Sequence, residues 1–313
     1  MKILILGSNG FFGKAITNVL KKNKKNKILV LTKSKDFDFI NLNKLEKYYL
    51  KTQPKVIINC AGYGGSLHYF AKKPADTLDS LKIYLNIYKA TEKIKIKPKI
   101  INCLANCVYP ANQNFQDEKK WDEGKVHDSV YTTGNIHRFR YLISRAWSEQ
   151  YKVKSINLIF GGLYGPGDHF IKERLHAFNG IILRMIKSKI KKEKRFKIFG
   201  SGKPIREWIY IKDAAKAIEI ATKINENILD PINITNNFSI SINKIAEVVK
   251  NQLKYDGELF NDKSYMDGDL IKRLSKQSIR YKKYFSNLKY TKLKLSISQT
   301  INYYKNNIEK IEK

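Results

Sequence analysis

Short apolar runs alternate with stretches in which apolar residues recur every three or four positions. Lys2–Leu6, Lys27–Thr32, Lys55–Cys60, Lys99–Leu104 and Ser155–Phe160 read as strands. Phe12–Lys22, Asn43–Lys51, Pro74–Thr91 and Asn135–Tyr151 read as helices. Strands alternating with amphipathic helices predict βαβ units and a parallel sheet. Residues 106–134 read as a polar loop ending in small residues. From Leu163 the rhythm loosens, with turn signals at Gly165-Pro166-Gly167, Gly200-Ser201-Gly202 and Asp267-Gly268. The expectation is an α/β chain with a cofactor-type domain over 1–162. A smaller α/β domain over 163–313 follows, with some chain returning to the first.

Composition adjusts this picture little. Of the 313 residues 42% are hydrophobic, which supports a sizeable core. No apolar run approaches the roughly 18–20 residues needed to span a bilayer. The opening Met-Lys-Ile-Leu-Ile-Leu-Gly is too short for a secretion signal, so the chain reads as cytoplasmic from Met1. The three cysteines, Cys60, Cys103 and Cys107, fit a reducing compartment and form no zinc-ligand pattern. A net charge of +32 would ordinarily suggest nucleic acid. Here Lys outnumbers Arg 51 to 9, and only 6 of those lysines fall in 101–180, where the motifs lie. The charge therefore reads as solvated surface that attracts anions such as nucleotide diphosphates, with no nucleic-acid partner expected.

Gly7-Ser8-Asn9-Gly10-Phe11-Phe12-Gly13 lies between the first strand and the first helix. Glycines there let the backbone approach a pyrophosphate, and the helix start offers N–H groups to it. Gly7, Asn9, Gly10, Phe11, Phe12 and Gly13 are thus candidate dinucleotide contacts. After the second strand come Thr32, Lys33 and Lys35, where an acid would serve the ribose of NAD. Lysines there favour a 2′-phosphate, hence NADP with NAD as the alternative. Ala61 and Gly62 follow the third strand and leave room for the ribose and nicotinamide.

With Cys60-Ala61-Gly62-Tyr63-Gly64-Gly65, Asn106-Cys107-Val108-Tyr109-Pro110, Leu163-Tyr164-Gly165-Pro166-Gly167-Asp168 and Gly200-Ser201-Gly202-Lys203-Pro204-Ile205-Arg206-Glu207, the chain resembles the extended short-chain dehydrogenases/reductases. Its likeness is to their nucleotide-sugar epimerase/dehydratase family, and within that to the GDP-fucose synthase branch. The resemblance covers nearly the whole chain. It implies a Rossmann doubly wound sheet, a nicotinamide cofactor and a nucleotide-diphosphate sugar.

The resemblance also exposes a departure. The family pairs a Ser or Thr after the fourth strand with a Tyr and a Lys one helical turn apart, which serve hydride transfer at the sugar C4. Counting from the flanking motifs puts Ala105, Thr133 and His137 at those positions. Tyr141 lies eight residues too late, about 12 Å along a helix. Tyr131, two residues before Thr133, is the nearer phenol, and with His137 a candidate displaced acid. A second pair survives. The branch uses a Cys and a His as acid/base partners at C3 and C5 beside a 4-keto group, and these correspond to Cys107 and His176, with His169 a further candidate. A thiol and an imidazole both exchange protons near neutrality.

Arg206 corresponds to the family's arginine facing the nucleotide diphosphate, Arg184 to another basic position in the substrate domain, and Lys272 or Arg273 to a third. The resulting expectation is C3/C5 epimerisation of an NDP-4-keto-6-deoxy sugar in surface-polysaccharide precursor synthesis. The alternatives are a C4 reductase or C4 epimerase with a displaced acid, and a catalytically silent NADP-binding sensor. No metal is expected. A homodimer through Pro74–Thr91 and Asn135–Tyr151 is.

Overall fold

The computed structural model describes residues 1–34, 37–65, 67–170, 174–265, 267, 273–307 and 309. Its first half runs β1 (Lys2–Leu6), α1 (Phe11–Leu20), β2 (Lys27–Leu31), α2 (Leu42–Thr52), β3 (Val56–Asn59), α3 (Leu67–Lys72), α4 (Pro74–Lys89), β4 (Lys99–Ala105), β5 (Phe115–Gln116), α5 (Tyr131–Tyr151) and β6 (Ser155–Phe160). The second half runs β7 (Gly162–Tyr164), α6 (Ala177–Ile190), β8 (Arg195–Phe199), β9 (Ile205–Tyr210), α7 (Ile211–Lys223), β10 (Ile228–Ile234), β11 (Ser239–Ser241), α8 (Ile242–Leu253), β12 (Glu258–Asp262), β13 (Leu274–Ser275), α9 (Ile279–Phe285) and α10 (Leu293–Lys305).

Six strands form one parallel sheet in the order β10-β6-β4-β3-β1-β2. Side chains alternate between its faces with period two. Ile3, Ile5, Ile58 and Ile101 pack with Ile16 of α1, Ile218 of α7 and Phe285 of α9. Leu4, Leu6, Ile57 and Ile100 pack with Leu45 of α2, Ile83 of α4 and Ile136 of α5. Each such buried side chain contributes roughly 1.5–3 kcal/mol of transfer free energy. Helices on both faces make the sheet doubly wound, as the Rossmann likeness implied. The order in which strands are added to the sheet reverses between β1 and β3, and open parallel sheets bind ligands outside the carboxyl ends of their strands at that point.

Beyond β6 the chain divides its loyalty. β10 pairs with β6, and α7 and α9 complete the first layer. Phe178, Ile182 and Met185 of α6 form a separate core with Phe196, Trp208, Ile245 and Ile301. Phe11, the first residue of α1, is packed into that second core.

One boundary differs from the sequence pattern. α5 begins at Tyr131, four residues before the predicted Asn135. Thr132, Thr133 and Gly134 are weak helix formers, and the helix has no side-chain N-cap. Tertiary contact overrides that weakness, because Gly134 packs directly on the backbone of the loop after β4.

Candidate functional site: the carboxyl edge of the parallel sheet

The glycine turn is shaped by close approach. Gly7 has φ +75°, and a Cβ there would stand 2.7 Å from the Cys60 carbonyl oxygen at the end of β3. A Cβ on Gly13 would stand 2.2 Å from the Gly7 carbonyl oxygen, so helix and turn touch as only glycine permits. The α1 N-cap is Gly10, which offers no side-chain acceptor, and Asn9 and Gly10 are exposed. The first N–H groups of α1 are left for an outside anion. Ala61 is buried and Gly62 has φ +140°. This cradle fits a dinucleotide pyrophosphate.

Thr32 is half-buried at the end of β2. Lys33 is exposed and pairs with Asp38 at 2.8 Å, which raises the lysine pKa through hydrogen bonding and charge. A 2′-phosphate at this corner would compete with Asp38 for that ammonium. Lys35 and Lys272 lie outside the described residues.

α5 carries Thr133 and His137 one turn apart, hence on one face. Thr133 Oγ1 and His137 Nδ1 are both shut from solvent and without a hydrogen-bond partner. Orphaned polar atoms of this kind call for a partner, and ribose hydroxyls would supply one. Burial first, and the charge of Arg140 second, push the His137 imidazole down to about 3. It stays neutral at physiological pH and is a poor proton donor. Tyr131 is not in a loop, as the sequence pattern suggested, but opens α5, and it is 52% exposed beneath Lys125. Two residues along a helix is about 200° of rotation, so its phenol points away from the Thr133 face. Tyr141 packs edge-on against Trp121, 4.7 Å between ring centroids.

Ala105 ends β4, and Cys107 follows in a single turn of 3₁₀ helix, half-buried. Arg138 of α5 pins this loop by donating to the carbonyls of Val108 at 2.8 Å and Gly124 at 2.7 Å.

His176 enters from the second core. It is the N-cap of α6, and its Nδ1 lies 3.0 Å from Asp168 Oδ1. The buried Asp168 carboxylate also accepts from the backbone N–H groups of His169 and His176 and from Asn179 Nδ2 at 2.7 Å. Burial alone would raise its pKa, but these donors outweigh burial and hold it below the usual value. An ionised acceptor on Nδ1 makes that nitrogen the donor, so in the neutral imidazole the lone pair sits on Nε2. The His176 ring packs on Phe11 at 5.4 Å, directly after the glycine turn. His169 is half-buried, and burial lowers its pKa.

Sequence reasoning placed Asp168 in a motif without giving it a role, and it missed Asn179 and Arg174. Arg174 reaches across to the Gly64 carbonyl at 3.2 Å, joining the second core to the turn after β3. Its only sequence signal was being one of nine arginines.

The basic candidates separate. Arg206 is half-buried on β9. Arg184 lies over the rings of Phe199 at 4.1 Å and Phe196 at 4.9 Å, and burial lowers its pKa to about 10. Arg273 is 2% exposed, and its guanidinium donates to the Pro110 carbonyl at 3.0 Å, tying the start of β13 to the loop after Cys107. Among the described residues no group of three His, Cys, Asp or Glu side chains could hold a metal, and no helix is long and apolar enough to cross a membrane.

The family model described as "NAD dependent epimerase/dehydratase family" matches residues 3–235, well over half of the chain. The chain belongs to that family. It is 26% identical over 316 residues to the GDP-L-fucose synthase of Dictyostelium discoideum, covering 99% of this chain and 97% of that one. A GDP-L-fucose synthetase from Naegleria fowleri, solved bound to NADP, superposes with TM-score 0.88 at 27% identity, covering 100% of this chain and 95% of that chain. A GDP-6-OMe-4-keto-L-xylo-heptose reductase from C. jejuni shares the fold at TM-score 0.85 and 22% identity, covering 98% of each chain.

Proposed function

We propose that this family member is a cytoplasmic enzyme that holds NADP and epimerises C3 and C5 of an NDP-4-keto-6-deoxy sugar for surface-polysaccharide precursors. The observation that carries the reading is the Asp168–His176 pair, oriented beside Phe11 at the glycine turn. A C–H beside a ketone is acidified. His176 Nε2, with Asp168 fixing its tautomer, suits removal of that proton. Cys107, carried by the loop after β4, is assigned delivery of a proton to the opposite face. Arg206 and Arg184 are assigned to the diphosphate.

The Gly7–Gly13 turn would hold the cofactor pyrophosphate, and Thr133 and His137 its ribose. A nicotinamide held there would supply hydride chemistry at the sugar C4. The chain's own groups serve that chemistry poorly. Ala105 carries no hydroxyl, Thr133 carries an alcohol in place of a phenol, and His137 is held neutral. Proton exchange is therefore assigned as the faster chemistry. The reading includes a homodimer through α4 and α5, which expose Leu78, Leu85, Phe139 and Leu142.

The test is incorporation of solvent deuterium into GDP-, UDP-, CDP- and dTDP-linked 4-keto sugars, followed beside NADPH oxidation. Exchange outrunning oxidation, and lost in Cys107→Ser, supports the proposal. Rapid NADPH turnover indifferent to Cys107→Ser would make the enzyme a reductase. Tight NADPH binding with neither activity would favour a silent sensor.

A further inference from the structure

Arg140 sits on α5 one turn beyond His137 and is 2% exposed. A guanidinium keeps its proton even when buried, so the chain itself must solvate it. Its donors all go to neutral oxygens: Asn102 Oδ1 at 3.3 Å, the Cys103 carbonyl at 2.9 Å, and the Asn59 carbonyl. Its guanidinium carbon lies 4.3 Å from the centroid of the Tyr84 ring. Among the described residues no carboxylate pairs with it. The titratable groups around it are Tyr84 and Tyr88 of α4, Cys60 after β3, Cys103 on β4 and His137 on its own helix. The interior here is built around one uncancelled positive charge.

The surroundings are organised to carry it. Asn59, Asn102 and Asn157 sit opposite one another on β3, β4 and β6. Asn102 gives its amide hydrogens to Tyr88 Oη at 2.7 Å and Asn157 Oδ1 at 2.9 Å, and its own oxygen accepts from Arg140 and, at 3.4 Å, from Asn59 Nδ2. The location matters equally. Asn59 ends β3 and leads into Cys60-Ala61-Gly62, while Cys103 lies two residues before the end of β4, where the Cys107 loop departs. The Tyr84 hydroxyl stands 2.6 Å from where a Cβ on Gly62 would be. One cation thus ties together the two strand ends and the ring beneath the Gly62 turn.

We propose that Arg140 is a positioning residue that fixes a positive charge beneath the nicotinamide end of the crevice and biases the site toward the reduced, uncharged nicotinamide over the oxidised cation. The proposal rests on the dinucleotide reading given above. Two positive charges repel far more strongly through a low-dielectric interior than through water. The same charge favours the negative oxygen that develops when a proton leaves carbon beside a ketone.

The test is equilibrium titration of the full chain with NADPH and with NADP⁺. Wild-type protein should bind NADPH tighter by about fivefold or more. Arg140→Met should bring the two Kd values within about twofold of each other, and Arg140→Lys, which keeps the charge, should preserve the wild-type ratio. A purely structural role would weaken both ligands alike and leave the ratio unchanged, and that result overturns the proposal. Should the Met variant fail to fold, Arg140→Gln keeps hydrogen-bond donors without the charge and should collapse the ratio in the same way. Equal wild-type affinities would also overturn it. Wild-type protein that binds neither nucleotide would remove the dinucleotide reading itself, and this proposal with it.

Discussion

Gly134 is held against Cys107: a Cβ on residue 134 would stand 2.5 Å from the Cys107 carbonyl oxygen. The contact is backbone to backbone, so neither partner can swing away. Gly134→Ala should push the Cys107 loop off α5 and cost about 1–3 kcal/mol of stability, as overpacking does. Deuterium exchange into the 4-keto sugar should fall more than cofactor affinity does. A Gly134→Ala protein with wild-type melting temperature and exchange rate would show that this contact does not set the Cys107 position.

Asp168→Asn should separate orientation from presence. The amide can still meet His176 Nδ1, but its nitrogen would offer a proton where a carboxylate accepts one. The imidazole would then be free to present the wrong tautomer. Exchange should fall roughly 10²-fold, within the range general-base assistance supplies. Binding of the nucleotide-sugar, read by calorimetry, should change little.

The layered fold was legible because its strands are continuous apolar runs and its helices keep their period. Each expected element from Lys2–Leu6 to Ser155–Phe160 has a counterpart. The start of α5 was not legible, since a Thr-Thr-Gly start reads as a turn until the Cys107 loop is known to lie against it. In the site, Gly7, Gly13 and Gly62 announced themselves because close approach and positive φ leave a residue-type mark. Arg273 and Arg140 show the opposite. A guanidinium that solvates backbone carbonyls and one that faces a ligand are the same letter, and only burial and partners distinguish them. Asp168 was visible in its motif, but its role depends on a partner eight residues later that closes onto it.

Cofactor binding is predicted to fail in Gly10→Asp. That change adds a carboxylate at the mouth of the uncapped α1 N-terminus, where it would both cap the helix and repel a pyrophosphate. The folded protein should be as stable as wild type or slightly more so, while NADPH titration shows no saturation. Lys33→Ala should narrow the preference for NADPH over NADH, by about tenfold for one lost charged hydrogen bond of ~1.5 kcal/mol. Wild-type protein preferring NADH would contradict the assignment of Lys33.

The two arginines of the substrate side should behave differently. Arg206→Ala should raise the sugar-nucleotide Kd by about 10–100-fold, the ~1.5–3 kcal/mol of a charged hydrogen bond, with cofactor affinity level. Arg184 also packs over Phe199 and Phe196 and donates to the Lys197 carbonyl at 2.7 Å. Arg184→Ala should therefore lower both affinity and melting temperature. Equal weakening of sugar and cofactor in Arg206→Ala would point to a structural role instead.

The last prediction concerns pH. Glu207, beside Arg206 on β9, is buried, and burial raises its pKa to about 7 despite hydrogen bonds from Ser275. Its Oε1 has no partner. In the unfolded chain the group titrates near its ordinary value of 4.5. Below that value both states are protonated, and the group contributes no pH-dependent penalty. Between about 4.5 and 7 the unfolded chain releases the proton while the folded chain keeps it, so stability falls as pH rises through this window. Above it the loss is constant, on the order of 3 kcal/mol. Glu207→Gln mimics the protonated acid. It should remove this part of the pH dependence, gaining stability over wild type at pH 8 relative to the comparison at pH 5. Urea midpoints of both proteins at the two pH values measure it. Parallel midpoint shifts in the two proteins would mean that Glu207 is ionised in the folded state at a lower pH than its burial implies.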